Sequence, residues 1–231
     1  MSGLIRVSAS GFFGVLCLTI IACQSGPAPR ETYYQLAPEI QQSPLDPQAC
    51  GTLLVGRLGT RGFAGGRAIV FRDRADSLEI QRYHYNLWSE APALMIQEAI
   101  ARSLRATGLI RYVITPVERA NADWIVSGNL FRLEHFPNSS PASVVLEVEL
   151  GIVSANTRET LFLKRYLETE STASNRIGDA VKAFNKALEQ ILDQFQKDAG
   201  KILALHRVSC EQPESRIYWE KRMDTILTNF G

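Results

Sequence analysis

The stretch SVVLEVELGIV, residues 143–153, alternates between two kinds of side chain and decides the fold. One face contains five apolar residues: Val144, Leu146, Val148, Leu150 and Ile152. The other face contains Val145, Glu147 and Glu149, and we expect it to be solvated. Because successive side chains of a strand point to opposite faces, the pattern predicts an antiparallel strand with one buried face.

Strands are also predicted on both sides of this stretch. Residues 122–133 and 160–169 alternate in the same way, and the three strands form a predicted meander with a polar turn at His135–Pro141. Upstream, residues 67–72 and 77–83 form a predicted hairpin. Two further strands are predicted at 51–58 and 110–115.

Two long helices complete the predicted domain. The first is expected to begin at Ser89 as N-cap and to stop at Gly108. The second spans Ser174–Leu205, where apolar residues recur every three or four positions. These elements predict an α+β fold, with a mostly antiparallel β-sheet and both long helices packed on one face.

The N-terminus has the pattern of a lipoprotein signal peptide. Arg6 precedes an apolar run that ends Ile20-Ile21-Ala22-Cys23. The run resembles the lipobox of bacterial lipoproteins, in which the cysteine is lipidated and becomes the first residue of the mature chain. A transmembrane helix and a secretory signal with an incidental cysteine are the alternatives, but spanning needs about 20 apolar residues and this run is shorter.

Four segments follow from these patterns. Residues 1–22 are a predicted signal peptide, and 23–49 are a predicted tether that contains five of the ten prolines. Tyr33-Tyr34-Gln35-Leu36 interrupts the tether as a short strand or docking segment. The predicted domain spans 50–210, and 211–231 are a C-terminal extension.

Composition excludes one class of partner. The chain has 231 residues and a formal net charge of +1. Removing residues 1–22 takes away Arg6 and no acidic residue, so the mature chain is formally neutral. Nucleic-acid binding through a basic surface is therefore not expected.

Two cysteines remain in the predicted domain after Cys17 and Cys23 are accounted for. Cys50 precedes the first strand and Cys210 follows the last long helix. A Cys50–Cys210 disulfide is expected in the oxidising periplasm. Two separate thiols are the alternative.

The sequence contains no pattern that indicates catalysis, a metal site or a cofactor. The glycines at 56–66 lack the phosphate-loop motifs, and no nucleophile elbow is present. The three histidines, His84, His135 and His206, lack a second ligand at metal spacing and are expected at the surface or an edge. We therefore expect a protein that is not an enzyme, although a hydrolase remains an alternative.

Aromatic residues mark two candidate partner surfaces. Tyr83, Tyr85 and Trp88 lie just before the first helix, and Tyr218 and Trp219 lie in the amphipathic C-terminal extension. For the first group, we expect first that the aromatic rings anchor the helix to the sheet; a partner or lipid surface is the functional alternative.

Together these segments resemble the ABC-type transport auxiliary lipoprotein component family. The matching pieces are the lipobox at Cys23, Tyr33-Tyr34-Gln35-Leu36, the strand Ile69–Arg72, Trp88-Ser89-Glu90-Ala91-Pro92 before a helix, the strand Asp123–Gly128 and the alanine-rich C-terminal helix. They follow one another over residues 20–205.

The resemblance implies a non-enzymatic lipoprotein that accompanies a transporter built from a permease, an ATPase and a mammalian-cell-entry (MCE) protein. Such systems move lipids or apolar compounds between the inner and outer membranes. A lipid group on Cys23, palmitate included, would anchor the chain in the outer membrane, facing the periplasm. Edge strands also allow a homo-oligomer. The alternative is a lipoprotein that assists outer-membrane assembly or a secretion channel.

Overall fold

The computed structural model describes residues 29–40, 49–74 and 76–206. The chain divides into two compact units, Met1–Glu31 and Thr32–Gly231, and the elements below belong to the second unit. Within the described part of the chain, no helix is both long and apolar enough to cross a membrane.

Nine strands and two α-helices make up the described fold. The strands before the first helix are β1 (Thr32–Tyr34), β2 (Ala49–Val55), β3 (Gly59–Thr60), β4 (Ala68–Phe71) and β5 (Gln81–Trp88). Then come α1 (Pro92–Thr107), β6 (Ile110–Ile114), β7 (Trp124–Phe136), β8 (Ser143–Ser154), β9 (Thr160–Ser171) and α2 (Ile177–Leu205). A short 3-10 helix, Gly62–Gly65, lies between β3 and β4.

The sheet is mixed, so the prediction of a mostly antiparallel sheet is wrong. Strand β7 pairs in parallel with β2, β3 and β4. Strand β2 also pairs in parallel with β6, and β1 pairs in parallel with β5. The pairs β4–β5, β7–β8 and β8–β9 are antiparallel. The physical reason is connection length: the antiparallel pairs join consecutive strands through short turns, whereas each parallel pair is joined by a long crossover that lets the strand return in the same direction.

The predicted α+β class is confirmed, and so is the buried face of β8. All five apolar residues predicted on that face, from Val144 to Ile152, are fully buried. Helix α1 packs on β2 and β6, α2 packs on β8 and β9, and the helices contact each other. Gln97 in α1 donates a hydrogen bond to the carbonyl oxygen of Val55 at 3.1 Å and thereby satisfies a buried polar side chain.

Several predicted boundaries differ from the structure. The second hairpin strand begins at Gln81, later than predicted, and continues to Trp88. Helix α1 begins at Pro92 with Ala91 as N-cap, so Ser89 does not cap it. Proline suits the first helical position because its missing N–H is not needed there. Gly108 ends α1 at φ 63°, as predicted, because glycine adopts this left-handed conformation without steric cost.

Candidate interaction surface

Strand β5 contains a large bulge where the sequence places its aromatic residues. Ala68 pairs with Leu87 and Val70 pairs with Arg82, so two residue steps along β4 correspond to five along β5. The additional residues lie between Tyr83 and Asn86. Bulges redirect side chains at sheet edges and next to functional sites. The β5 bulge therefore orients the Tyr83–Asn86 segment.

Tyr83 is half-buried and lies between two rings. Its ring stacks on Phe71 at a centroid distance of 4.3 Å, and its hydroxyl group lies 3.0 Å from Nδ1 of His135. Burial raises the pKa of Tyr83 to about 12, with a further contribution from Asp73. The phenol is therefore neutral at physiological pH and takes part in packing and hydrogen bonding.

His135 is completely buried, which corrects the prediction that it lies at the surface or an edge. Strand β7 continues through Phe136, so His135 belongs to the strand and not to the predicted polar turn. Burial lowers its pKa to about 4, so the imidazole is neutral at pH 7. Its Nε2 atom has no hydrogen-bond partner among the described residues.

The aromatic residues predicted as a partner surface divide into buried and exposed ones. Trp88 is 1% exposed and packs edge-on against Phe184 of α2 at a centroid distance of 5.7 Å. It is therefore a core residue and not part of an accessible surface, and its ring packs a helix against the sheet, as the anchor interpretation expects. Tyr85 is 46% exposed. Tyr218 and Trp219 lie outside the described residues.

The segment after β1 docks on α2. The backbone N–H groups of Ala37 and Glu39 donate hydrogen bonds to the side chains of Asn185 and Glu189, at 2.8 and 2.7 Å. Leu36 is buried in the core. The short strand and the docking segment predicted around Tyr33–Leu36 are thus both present, within the region predicted as tether.

A cleft lies between β5 and the first turn of α2. Its volume is about 560 Å³, and its lining includes Tyr34, Tyr83, Asn86, Arg176 and Asp179. The Ser174 hydroxyl donates a 2.6 Å hydrogen bond to Asp179, which lowers the pKa of that carboxyl group, and Arg176 contributes in the same direction. The acidic group at the helix start is thereby kept ionised, and it stabilises the helix dipole.

A second pocket, of about 190 Å³, lies on the part of the sheet formed by β4 and β7. Glu134 is buried there and accepts hydrogen bonds from both Arg72 (2.9 Å) and Arg132 (2.9 Å). We call this the arginine pocket; its lining also includes Arg61, Phe63, Ile80 and Phe131. No sequence pattern predicts this pocket, because its members come from four separate segments and share no motif.

The face of β8 predicted to be solvated is only partly so. Arg165 of β9 lies 3.2 Å from Glu147 and 3.8 Å from Glu149, and its guanidinium lies 4.1 Å from the centre of the Phe131 ring. The side chain of Glu147 is 16% exposed. This carboxylate pair is thus held by one arginine, which fits a structural role on the sheet face.

Of the residues predicted for lipidation and the disulfide, the structure describes Cys50 alone. Cys50 is buried in β2, whereas Cys23 and Cys210 lie outside the described residues. The Cys50–Cys210 disulfide and the lipid on Cys23 therefore stay predictions. The described residues contain no group of three or more His, Cys, Asp or Glu side chains placed to hold a metal ion.

These features define an α+β domain whose sheet is mixed and whose most distinctive surfaces are a strand bulge and an arginine-lined pocket. A family model described as the ABC-type transport auxiliary lipoprotein component matches residues 34–195. The chain belongs to this family, which confirms the resemblance. The family is a transport auxiliary component, a generally non-catalytic class.

Solved structures show the same fold. Protein XCC0632 from Xanthomonas campestris, assigned to the family model DUF330, is 18% identical and has a TM-score of 0.66, covering 74% of this chain and 96% of its own. A second structure, of an uncharacterised protein, is 12% identical with a TM-score of 0.57, covering 74% of this chain and 99% of its own. No curated protein matches the chain.

Proposed function

We propose that this protein is the lipid-anchored auxiliary component of an MCE-type ABC transport system. It would be attached to the outer membrane through Cys23 and face the periplasm. Its partners would be the MCE protein and, through it, the permease and the ATPase. The system would move lipids or other apolar compounds between the two membranes, and this chain would perform no chemistry itself.

The observation that supports this proposal most strongly is the family match over 34–195. The match begins in β1, eleven residues after Cys23, so an N-terminal anchor and the domain are close in sequence. Because Leu36 is buried and Ala37 and Glu39 bond to α2, the chain enters the domain beside that helix. The eleven residue steps between Cys23 and the start of the match limit the reach of the domain from a lipid on Cys23 to about 40 Å of extended chain.

We place the MCE contact at β5. Its bulge projects Tyr85 outward, and tyrosine is enriched at protein interfaces because its ring is apolar while its hydroxyl group can hydrogen-bond. Arg82 lies three positions before Tyr85 on the same strand, with its guanidinium 4.9 Å from the centre of the Phe63 ring. Tyrosine and arginine are among the residue types that dominate binding hot spots.

Affinity capture from detergent-solubilised envelopes tests the proposal. The full chain with an affinity tag should recover an MCE protein with its permease and ATPase, and mass spectrometry of the bait should find acylated Cys23 at its N-terminus. A Cys23→Ala variant should yield no acylated N-terminal peptide. Recovery of a β-barrel or a secretion channel in place of the MCE protein would contradict the proposal and favour outer-membrane assembly.

A further inference from the structure

The arginine pocket contains more positive than negative charge. Arg61, Arg72 and Arg132 line it, and Glu134 is its only acidic residue. The pocket therefore has two positive charges in excess. We propose that it binds the anionic headgroup of an amphiphile, a lipid phosphate or carboxylate, whose apolar part lies on the exposed ring of Phe63.

Glu134 holds two of the guanidinium groups in place. Its side chain is 7% exposed, and it accepts from Nε of Arg72 at 2.9 Å and from Nε and a terminal nitrogen of Arg132 at 3.1 and 2.9 Å. The Ser77 carbonyl oxygen accepts a further bond from Arg72 at 2.8 Å. Because the carboxylate balances only one of the two guanidinium groups, a partly buried positive charge is left that a bound anion would neutralise.

Arg61 supplies the part of the site that is available to a ligand. Its side chain is exposed and has no hydrogen-bond or ion-pair partner among the described residues, whereas its backbone N–H bonds to the carbonyl oxygen of Leu130 at 3.1 Å. The backbone bond fixes where the side chain starts. The guanidinium group then remains free to close over an anion, and its planar donors suit phosphate and carboxylate oxygens.

The pocket wall explains why the ligand is an amphiphile. Phe63, Ile80 and Phe131 line the pocket beside the arginines, and Phe63 is 45% exposed. A volume of about 190 Å³ is small against the 300–1,000 Å³ typical of whole-ligand pockets, so it suits a headgroup. An apolar chain leaving the pocket would cover the part of the Phe63 ring that Arg82 leaves exposed, which inorganic phosphate cannot do.

This inference deepens the proposed function and relies on it for the source of the amphiphile, the transported lipid. Binding to the pocket can nevertheless be measured without any transport partner. Failure of the binding test with successful capture of the MCE protein would refute the pocket alone. Failed capture with successful binding would refute the transport role alone.

Titration calorimetry of the full mature chain tests the inference with three probes below their micelle concentrations. The probes are dihexanoylphosphatidylglycerol, dihexanoylphosphatidylcholine and inorganic phosphate. The first should bind about tenfold or more tightly than the other two, the difference expected for one charge-assisted contact or a few buried methylene groups. Equal affinity for the phosphatidylcholine would overturn the charge argument, and equal affinity for phosphate would overturn the apolar one.

Variants assign the binding to this pocket. Arg61→Ala and Phe63→Ala should each weaken binding of dihexanoylphosphatidylglycerol by about tenfold, the effect of one lost charge-assisted or aromatic contact. Arg111→Ala is the matched control, since Arg111 is an exposed arginine of β6 that does not line the pocket. Arg61→Ala should keep the thermal midpoint of the parent, because its side chain is exposed. Phe63→Ala should lower the midpoint only slightly, because its ring is 45% exposed and the variant loses the Arg82 contact. Unchanged affinity in both variants would overturn the inference.

Discussion

The hydroxyl group of Tyr83 on β5 lies 3.0 Å from Nδ1 of His135 on β7, although the two residues are 52 positions apart. The two strands are not paired with each other; β4 lies between them. The contact therefore reaches across β4, on the side where Phe71 stacks on Tyr83. The Tyr83–His135 hydrogen bond thus holds the half-buried part of the β5 bulge, and Tyr85 lies on its exposed part.

Removing this hydrogen bond should cost stability. In Tyr83→Phe the packing on Phe71 remains, but the buried imidazole loses its one hydrogen-bond partner among the described residues. We expect the free energy of unfolding in urea to fall by about 1–3 kcal/mol, the cost of an unsatisfied buried polar group. Tyr85→Phe is the control and should change little. Equal values for Tyr83→Phe and the parent would show that the bond does not contribute.

Stability should also depend on pH through His135. Its pKa is about 4 in the folded protein, against an ordinary value of 6.5. Between these values the unfolded chain binds more protons, so the free energy of unfolding falls as the pH drops from 6.5 towards 4. The slope from this group disappears only well above pH 6.5, where the imidazole is neutral in both states.

Denaturant unfolding at several pH values would measure this effect. His135→Gln should show a shallower loss of stability between pH 6.5 and 4 than the parent, whatever its stability at pH 7. His84→Gln, which changes an exposed histidine on β5, should keep the parent's slope. The same slope in all three proteins would rule out His135 as the titrating group.

Gly128 should be intolerant of any side chain. It faces Leu150 across the β7–β8 pair, and an added Cβ would overlap the carbonyl oxygen of Glu149. Gly128→Ala should therefore destabilise the fold by about 1–3 kcal/mol, a typical cost of overpacking. Gly178→Ala, in the first turn of α2 with open space around it, should be neutral or stabilising. Thermal unfolding of the two variants would compare their midpoints. Similar midpoints would contradict the close approach of the Glu149 carbonyl oxygen to Gly128.

The helices and the meander could be predicted because their signals are local. Residues 143–153 alternate through a whole strand, and α2 has a continuous apolar stripe. The parallel pairs could not be predicted, since β2 pairs with β6 and β7, which are more than fifty residues away in sequence. No local pattern specifies which distant strand becomes a neighbour.

The sequence predicts the candidate surface least well at residues whose local composition suggests exposure but whose side chains are buried. His135 precedes Phe136-Pro137-Asn138-Ser139-Ser140, a segment typical of turns, and yet it is buried because β7 continues to Phe136. Trp88 belongs to an aromatic cluster that includes exposed Tyr85, but only Trp88 reaches Phe184. Trp88 is buried because it contacts α2, which begins about ninety residues later in the chain. No local sequence pattern predicts such a contact.

The Cys50–Cys210 disulfide has a direct chemical test. Peptide mapping of the mature chain without reductant should yield one linked peptide containing both cysteines, and reduction should lower the free energy of unfolding. The chain-entropy model gives about 4–5 kcal/mol for so long a loop, and measured values are often smaller. Two alkylatable thiols in the untreated protein would refute the bridge.

Site-specific photo-crosslinking tests the central claim most directly. A photoreactive phenylalanine analogue at position 85 samples the β5 bulge, and the same analogue at Tyr112, an exposed tyrosine of β6, is the matched control. In cells that express the full chain, we predict a crosslink from position 85 to an MCE protein and none from position 112. Equal crosslinking from both positions, or a product from position 85 that contains no MCE protein, would contradict the proposed docking surface.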